Sequence, residues 1–174
     1  MPFRWNIGRR EQLGRLIEDP SEECLSAYRL LQRRLPRLQQ CCARVLSMCG
    51  NSSLVFIGRS PENLYDYMSG LLEDSSWKER LTLLLFSMRG HSTAEIRSQY
   101  PGAVEGMREI FTQLKLDPHS IAKAPHGVAF VDVVCNGWTM NSLIEFLMTW
   151  ARECHPDIPS VKRKMRIIGL TIQG

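Results

Sequence analysis

No stretch of this 174-residue sequence reaches the roughly 18 consecutive apolar residues that a membrane-spanning helix needs. The first ten residues hold no apolar run long enough for a secretion signal. Six cysteines are present, at 24, 41, 42, 49, 135 and 154, and no two form a Cys-x-x-Cys pair. That spacing excludes the common zinc ribbons. With no export signal, the thiols are expected to be reduced, in a cytoplasmic protein. Cys154-His155 is at most half a metal site, because no second pair accompanies it. Histidine is scarce, and His91, His119 and His126 read as loop or core residues before they read as catalysts. No internal repeat and no low-complexity segment is present.

What remains is an ordinary globular composition, 44% hydrophobic and 23% charged, in a chain long enough for one domain with a sizeable core. The charge is uneven. The net charge is +4, and residues 1–50 hold nine arginines against five acids, so that segment accounts for all of it. Residues 9–18 are expected to form a short helix. Asp19-Pro20-Ser21-Glu22 then reads as a helix start, with Asp19 as cap and Pro20 in the first turn. Apolar residues follow at 24, 28, 31, 35, 38, 42, 45 and 49, alternating steps of four and three like a coiled-coil seam. Pro36 interrupts them, which predicts a kink or two consecutive helices. The seam is too apolar to face water. It is expected to pack on the rest of the chain, with a homodimer as the alternative. Arg29, Arg33 and Arg37 line another face at spacings of four. They read as a solvated helix face, with contact to nucleic acid or an acidic partner as the second reading. A helical interaction module acting through residues 20–50 is one function this pattern allows.

Beyond residue 50 the pattern changes to short apolar runs alternating with helical spacing. Runs at 53–58, 81–87, 127–134 and 165–172 read as strands. The first ends in Gly58-Arg59-Ser60-Pro61-Glu62, where Ser60 is expected to cap a helix with Pro61 in its first turn. Ser92-Thr93-Ala94-Glu95 is a capping box, and residues 101–115 carry a second helical face. Asp117-Pro118 and Ala124-Pro125-His126-Gly127 read as punctuation before the third strand, as do Pro156 and Pro159 before the fourth. Strands alternating with helices imply an α/β domain at 51–174: a mostly parallel sheet of about four strands, helices on both faces, preceded by the N-terminal helical segment 1–50.

The stretch 128–150 organises this domain. An apolar run broken only by Asp132 leads into Cys135-Asn136-Gly137-Trp138-Thr139, and a helical pattern with Leu143, Phe146, Leu147, Trp150 and Ala151 follows. A strand buried on both faces, a tight polar turn and a helix start make a joint suited to a phosphate, beyond the carboxyl ends of parallel strands.

Val131-Asp132-Val133-Val134-Cys135-Asn136-Gly137-Trp138-Thr139-Met140 resembles the loop of the type I phosphoribosyltransferases. That loop runs from apolar residues through one or two acids to Gly-x-Thr. The resemblance implies that Asp132 holds the ribose hydroxyls of phosphoribosyl pyrophosphate and takes part in catalysis and in contact with Mg²⁺. It implies that Cys135, Asn136, Gly137, Trp138, Thr139 and Met140 wrap the 5′-phosphate, and that Arg59 and Ser60 meet the pyrophosphate. The family usually has two adjacent acids, where this chain has Val131 before Asp132, and Cys135 also departs from the pattern. A non-catalytic module sensing a nucleotide or phosphosugar is therefore the alternative to a transferase. The family continues with further strands and a base-selecting hood. No such segment follows Gly174, so that role is expected to fall to residues 1–50, or the chain is part of a longer protein.

Overall fold

A computed structural model describes residues 22–88 and 90–171. The expected helix over 9–18, the Asp19 cap and the last residue of the expected fourth strand lie outside them. The chain divides between Cys41 and Cys42 into two units. Helix α1 spans Glu22–Cys49 with Pro36 inside it, so of the expected kink or two consecutive helices the second is not found. Proline removes one backbone donor and crowds one turn, and the turns on either side continue regardless. Arg29, Arg33 and Arg37 are exposed. Among the described residues no helix is long and apolar enough to cross a membrane.

In the second unit, Cys42, Val45 and Cys49 are buried on one stripe of the last turns of α1. A turn at Gly50 and Asn51 then leads into a four-stranded, wholly parallel sheet. Strand β1 spans Ser53–Ile57, β2 Leu81–Leu84, β3 Val128–Val133 and β4 Met165–Leu170. Their order is β2-β1-β3-β4. Leu54 pairs with Leu81 on one side and with Ala129 on the other, and Val131 pairs with Ile168. Helices connect the strands: α2 (Glu62–Leu71), α3 (Thr93–Gln99), α4 (Ala103–Gln113), α5 (Pro118–Lys123), α6 (Trp138–Cys154) and α7 (Ile158–Lys164).

Strand side chains alternate between two faces. Val55, Ile57, Val128 and Phe130 form one core with Val104, Phe111, Ile121, Leu143, Phe146 and Val161. Its centre is aromatic: the Phe146 ring lies 5.1 Å from Phe111, 6.3 Å from Phe86 and 5.9 Å from Trp150. On the other face Phe56 meets Tyr65 of α2 edge-on at 5.8 Å. Both faces of the central strands β1 and β3 are therefore covered, which is why those two read as almost unbroken apolar runs. Gly127 sits where β3 enters this sheet. A β-carbon there would lie 2.8 Å from both the Lys164 carbonyl and the Ser52 hydroxyl, so only glycine fits without a shift.

Two helices sit where punctuation was expected. Asp117 caps α5, accepting from the Ser120 amide at 3.0 Å, with Pro118 in the first turn. Asp157 caps α7 in the same way through Ser160, with Pro159 in the first turn. Each proline supplies a preset φ at a position that needs no donor, so both residues start helices instead of breaking the chain. The capping box at Ser92 and Glu95 forms in full.

Candidate functional site

The chain leaves β1 for β2 on one side and later returns to β3 on the other. The sheet's switch point thus lies between the carboxyl ends of β1 and β3, where ligands of open α/β sheets bind. A cleft of about 550 Å³ occupies this place, lined by residues 57–60, 85–87 and 132–139. Its size is that of a small-molecule site, which typically runs from roughly 300 to 1,000 Å³.

The β1 loop contributes Arg59 and Ser60, both exposed and both on the cleft. Ser60 does not cap α2 as expected. Pro61 holds that position and makes no side-chain cap hydrogen bond. The backbone closes the turn itself: the Glu62 amide donates to the Arg59 carbonyl, and the Leu64 and Tyr65 amides donate to Pro61. The Ser60 hydroxyl is thereby released to the cleft wall.

The β3 loop contributes more. Asp132 shares its strand face with Val128 and Phe130 and stands one step beyond them, at the cleft floor. It is one of few buried polar residues, 7% exposed. Burial pushes its carboxyl above the usual aspartate range, partly offset by a hydrogen bond from the Val133 backbone. Val131, its neighbour, faces the opposite side of the sheet and is wholly buried. Cys135 and Asn136 are exposed on the rim, and the Asn136 side-chain oxygen accepts from the Trp138 amide at 3.2 Å. Gly137 has φ +79°, a left-handed conformation that glycine adopts freely, and it immediately precedes α6 with no side-chain cap. The first turn of a 17-residue helix, carrying a partial positive charge, therefore begins at the cleft with Thr139 on its wall.

Of the residues read from sequence, Arg59, Ser60, Asp132, Cys135, Asn136, Gly137, Trp138 and Thr139 line this one cleft. Met140 does not. It is 4% exposed and belongs to the aromatic core, because positions 140, 143 and 147 share one helix stripe. Sequence reading missed Leu85, Phe86 and Ser87, which directly follow β2. Only strand order could have placed them there.

No protein-family model, curated protein or solved structure matches this chain. The functional reading therefore rests on the cleft's own chemistry. Among the described residues lining it, Arg59 is the basic side chain and Asp132 the acidic one. No three His, Cys, Asp or Glu side chains among the described residues come together as a metal cage. One carboxylate beside hydroxyl and amide oxygens suits a magnesium ion that arrives on ligand phosphates better than a metal held by protein alone.

Proposed function

We propose that this cleft binds phosphoribosyl pyrophosphate or a related nucleotide or phosphosugar, and that the chain is phosphoribosyltransferase-like. The observation that supports this most is the convergence at one switch point of Arg59 and Ser60, the buried Asp132, and the glycine-led start of α6. The first-turn amides of α6 take the 5′-phosphate. Asp132 accepts from the ribose hydroxyls. The Arg59 guanidinium and the Ser60 hydroxyl meet the pyrophosphate. Asp132 would be the residue to hold a magnesium ion brought in with the pyrophosphate, and such an ion would supply charge neutralisation there.

In the reaction, an acceptor's lone pair forms a bond to the anomeric carbon as the carbon–oxygen bond to pyrophosphate breaks. The electron pair of that bond leaves with pyrophosphate. Such a displacement passes through an oxocarbenium-like state, so the protein contributes orientation and placed charge and not a nucleophile of its own. The aromatic core holds α6 rigidly, and α6 fixes the phosphate end of the ligand.

A binding-only module is the second reading, and Val131 favours it. Where the resembled loop has its first acid, this chain buries an apolar side chain on the far face of the sheet. Titration calorimetry with phosphoribosyl pyrophosphate and Mg²⁺, run beside a pyrophosphate-release assay over a panel of nucleobase acceptors, separates the two. Turnover lost in Asp132→Asn supports the transferase, and binding without turnover supports the sensor. Absence of binding refutes both.

A further inference from the structure

All the positive charge of α1 is arginine, and no acid follows Glu23 until Glu62. Arg29, Arg33, Arg34 and Arg37 belong to the first unit, and all four are exposed. Beyond residue 50 the basic and acidic residues are equal in number, and several cations there find acidic partners. Lys78 pairs with Glu73, and Arg97 and Arg108 share Glu153. Among the described residues none of the four arginines of α1 pairs with an acid. Like charges four residues apart on a helix repel one another, so the row costs α1 stability that a bound polyanion would restore.

The row is also straight. At 3.6 residues per turn, Arg29, Arg33 and Arg37 fall within about 80° of arc and span about 12 Å of the helix axis. Arg34 stands on its flank. Leu35 and Leu38 are half-buried and lie on the opposite half of the helix.

We infer that this row is a docking surface for the phosphate backbone of a double-stranded nucleic acid, held without reading its sequence. The planar guanidinium fork takes two phosphate oxygens at once, which a lysine ammonium does not. A duplex carries one charge per about 1.7 Å of its axis, so a row of fixed spacing meets phosphates in any register. A single strand would call for aromatic side chains among the arginines, and residues 29–38 hold none. A helix lying on a lipid surface sets its basic residues beside an apolar face that enters the bilayer, whereas here the leucines lie opposite the row. The inference uses no residue of the cleft and stands or falls apart from the phosphosugar reading.

The test is fluorescence anisotropy of the full chain with short labelled RNA and DNA duplexes over a salt series. Three phosphate contacts predict a fall in affinity of about 40-fold between about 50 and 200 mM salt. Replacing Arg29, Arg33 and Arg37 together by glutamine keeps helix propensity, and circular dichroism checks that the helix is retained. That variant should lose most of the binding, with the salt slope reduced by about one for each arginine removed. Replacing Lys115, Lys123 and Lys162 by glutamine removes the same charge from exposed positions in the second unit and should leave both nearly unchanged. Binding of either duplex with this pattern supports the inference. It is overturned if neither duplex binds, if the lysine variant loses as much as the arginine variant, or if affinity does not depend on salt. Tighter binding to a single strand, to polyglutamate or to vesicles of phosphatidylserine and phosphatidylcholine than to either duplex also overturns it.

Discussion

Replacing Gly137 with alanine should weaken either the fold or the cleft, and the structure says through which effect. Space is not the obstacle: a β-carbon at Gly137 would meet only the Val134 side chain, at 4.0 Å. The backbone is the obstacle, because φ is +79°. Holding an L-residue in the left-handed region costs about 1–2 kcal/mol. For a chain of this length each kcal/mol lowers the melting temperature by about 2–4 °C, so the expected loss is about 2–8 °C. The alternative is that the turn relaxes to negative φ, which saves stability and moves the amides of the first turn away from the cleft. In that second case the proposed phosphate affinity falls. Gly137→Asn should recover part of the loss, since asparagine tolerates left-handed backbone better than alanine. Thermal denaturation and phosphoribosyl pyrophosphate titration of the three proteins decide it. The reasoning is refuted if alanine costs nothing in either assay, or if asparagine is as damaging as alanine.

Phe146→Ala should cost about 3–5 kcal/mol in urea unfolding, because it empties the ring cluster of Phe86, Phe111 and Trp150; a loss below about 1.5 kcal/mol would mean the core collapses onto the gap. Gly127→Ala should destabilise by about 1–3 kcal/mol through contact with the Lys164 carbonyl. Gly106→Ala, in the interior of α4 with nothing within 4 Å of its added carbon, should stabilise by about 0.5–1 kcal/mol; melts of the two variants that move in the same direction would contradict the packing described. Asp132→Asn should raise stability at neutral pH. Burial lifts the native pKa above the unfolded value near 3.8, so the stability associated with this carboxyl is present below that value and is lost as pH rises through the native pKa. The variant's advantage should therefore be absent at the acid end of that window and present at pH 7, and denaturation curves with an equal difference at both ends would refute the buried carboxyl.

The central strands were legible because burial on both sheet faces leaves apolar runs at 54–57 and 128–134, the second broken only by Asp132, and the capping box at Ser92 was legible because two side chains declare it. Helices α5 and α7 were not, because six or seven residues hold too few apolar positions to show a period. Their Asp-caps and early prolines were visible, yet the same residue types also make turns. Ser60 looked like a cap because the backbone turn that replaces it leaves no mark on residue type. At the cleft, the β1 and β3 loops were readable as strand-to-helix joints. The contribution of Leu85, Phe86 and Ser87 was not, since it depends on strand order.

The two loops that face each other across the cleft belong to strands that touch in space but are far apart in sequence. Ser53 pairs with Val128, and the Asn51 side chain hydrogen-bonds His126 across a separation of 75 residues. Closing so long a span costs entropy before any contact repays it, which slows folding relative to local pairings. During synthesis the Arg59 loop therefore waits, with one wall of its cleft missing, until β3 and the start of α6 have emerged. A ligand of the proposed kind could not assist the early stages of folding, because the cleft comes into being with the β1–β3 pairing itself. Added ligand should accordingly slow unfolding far more than it accelerates refolding.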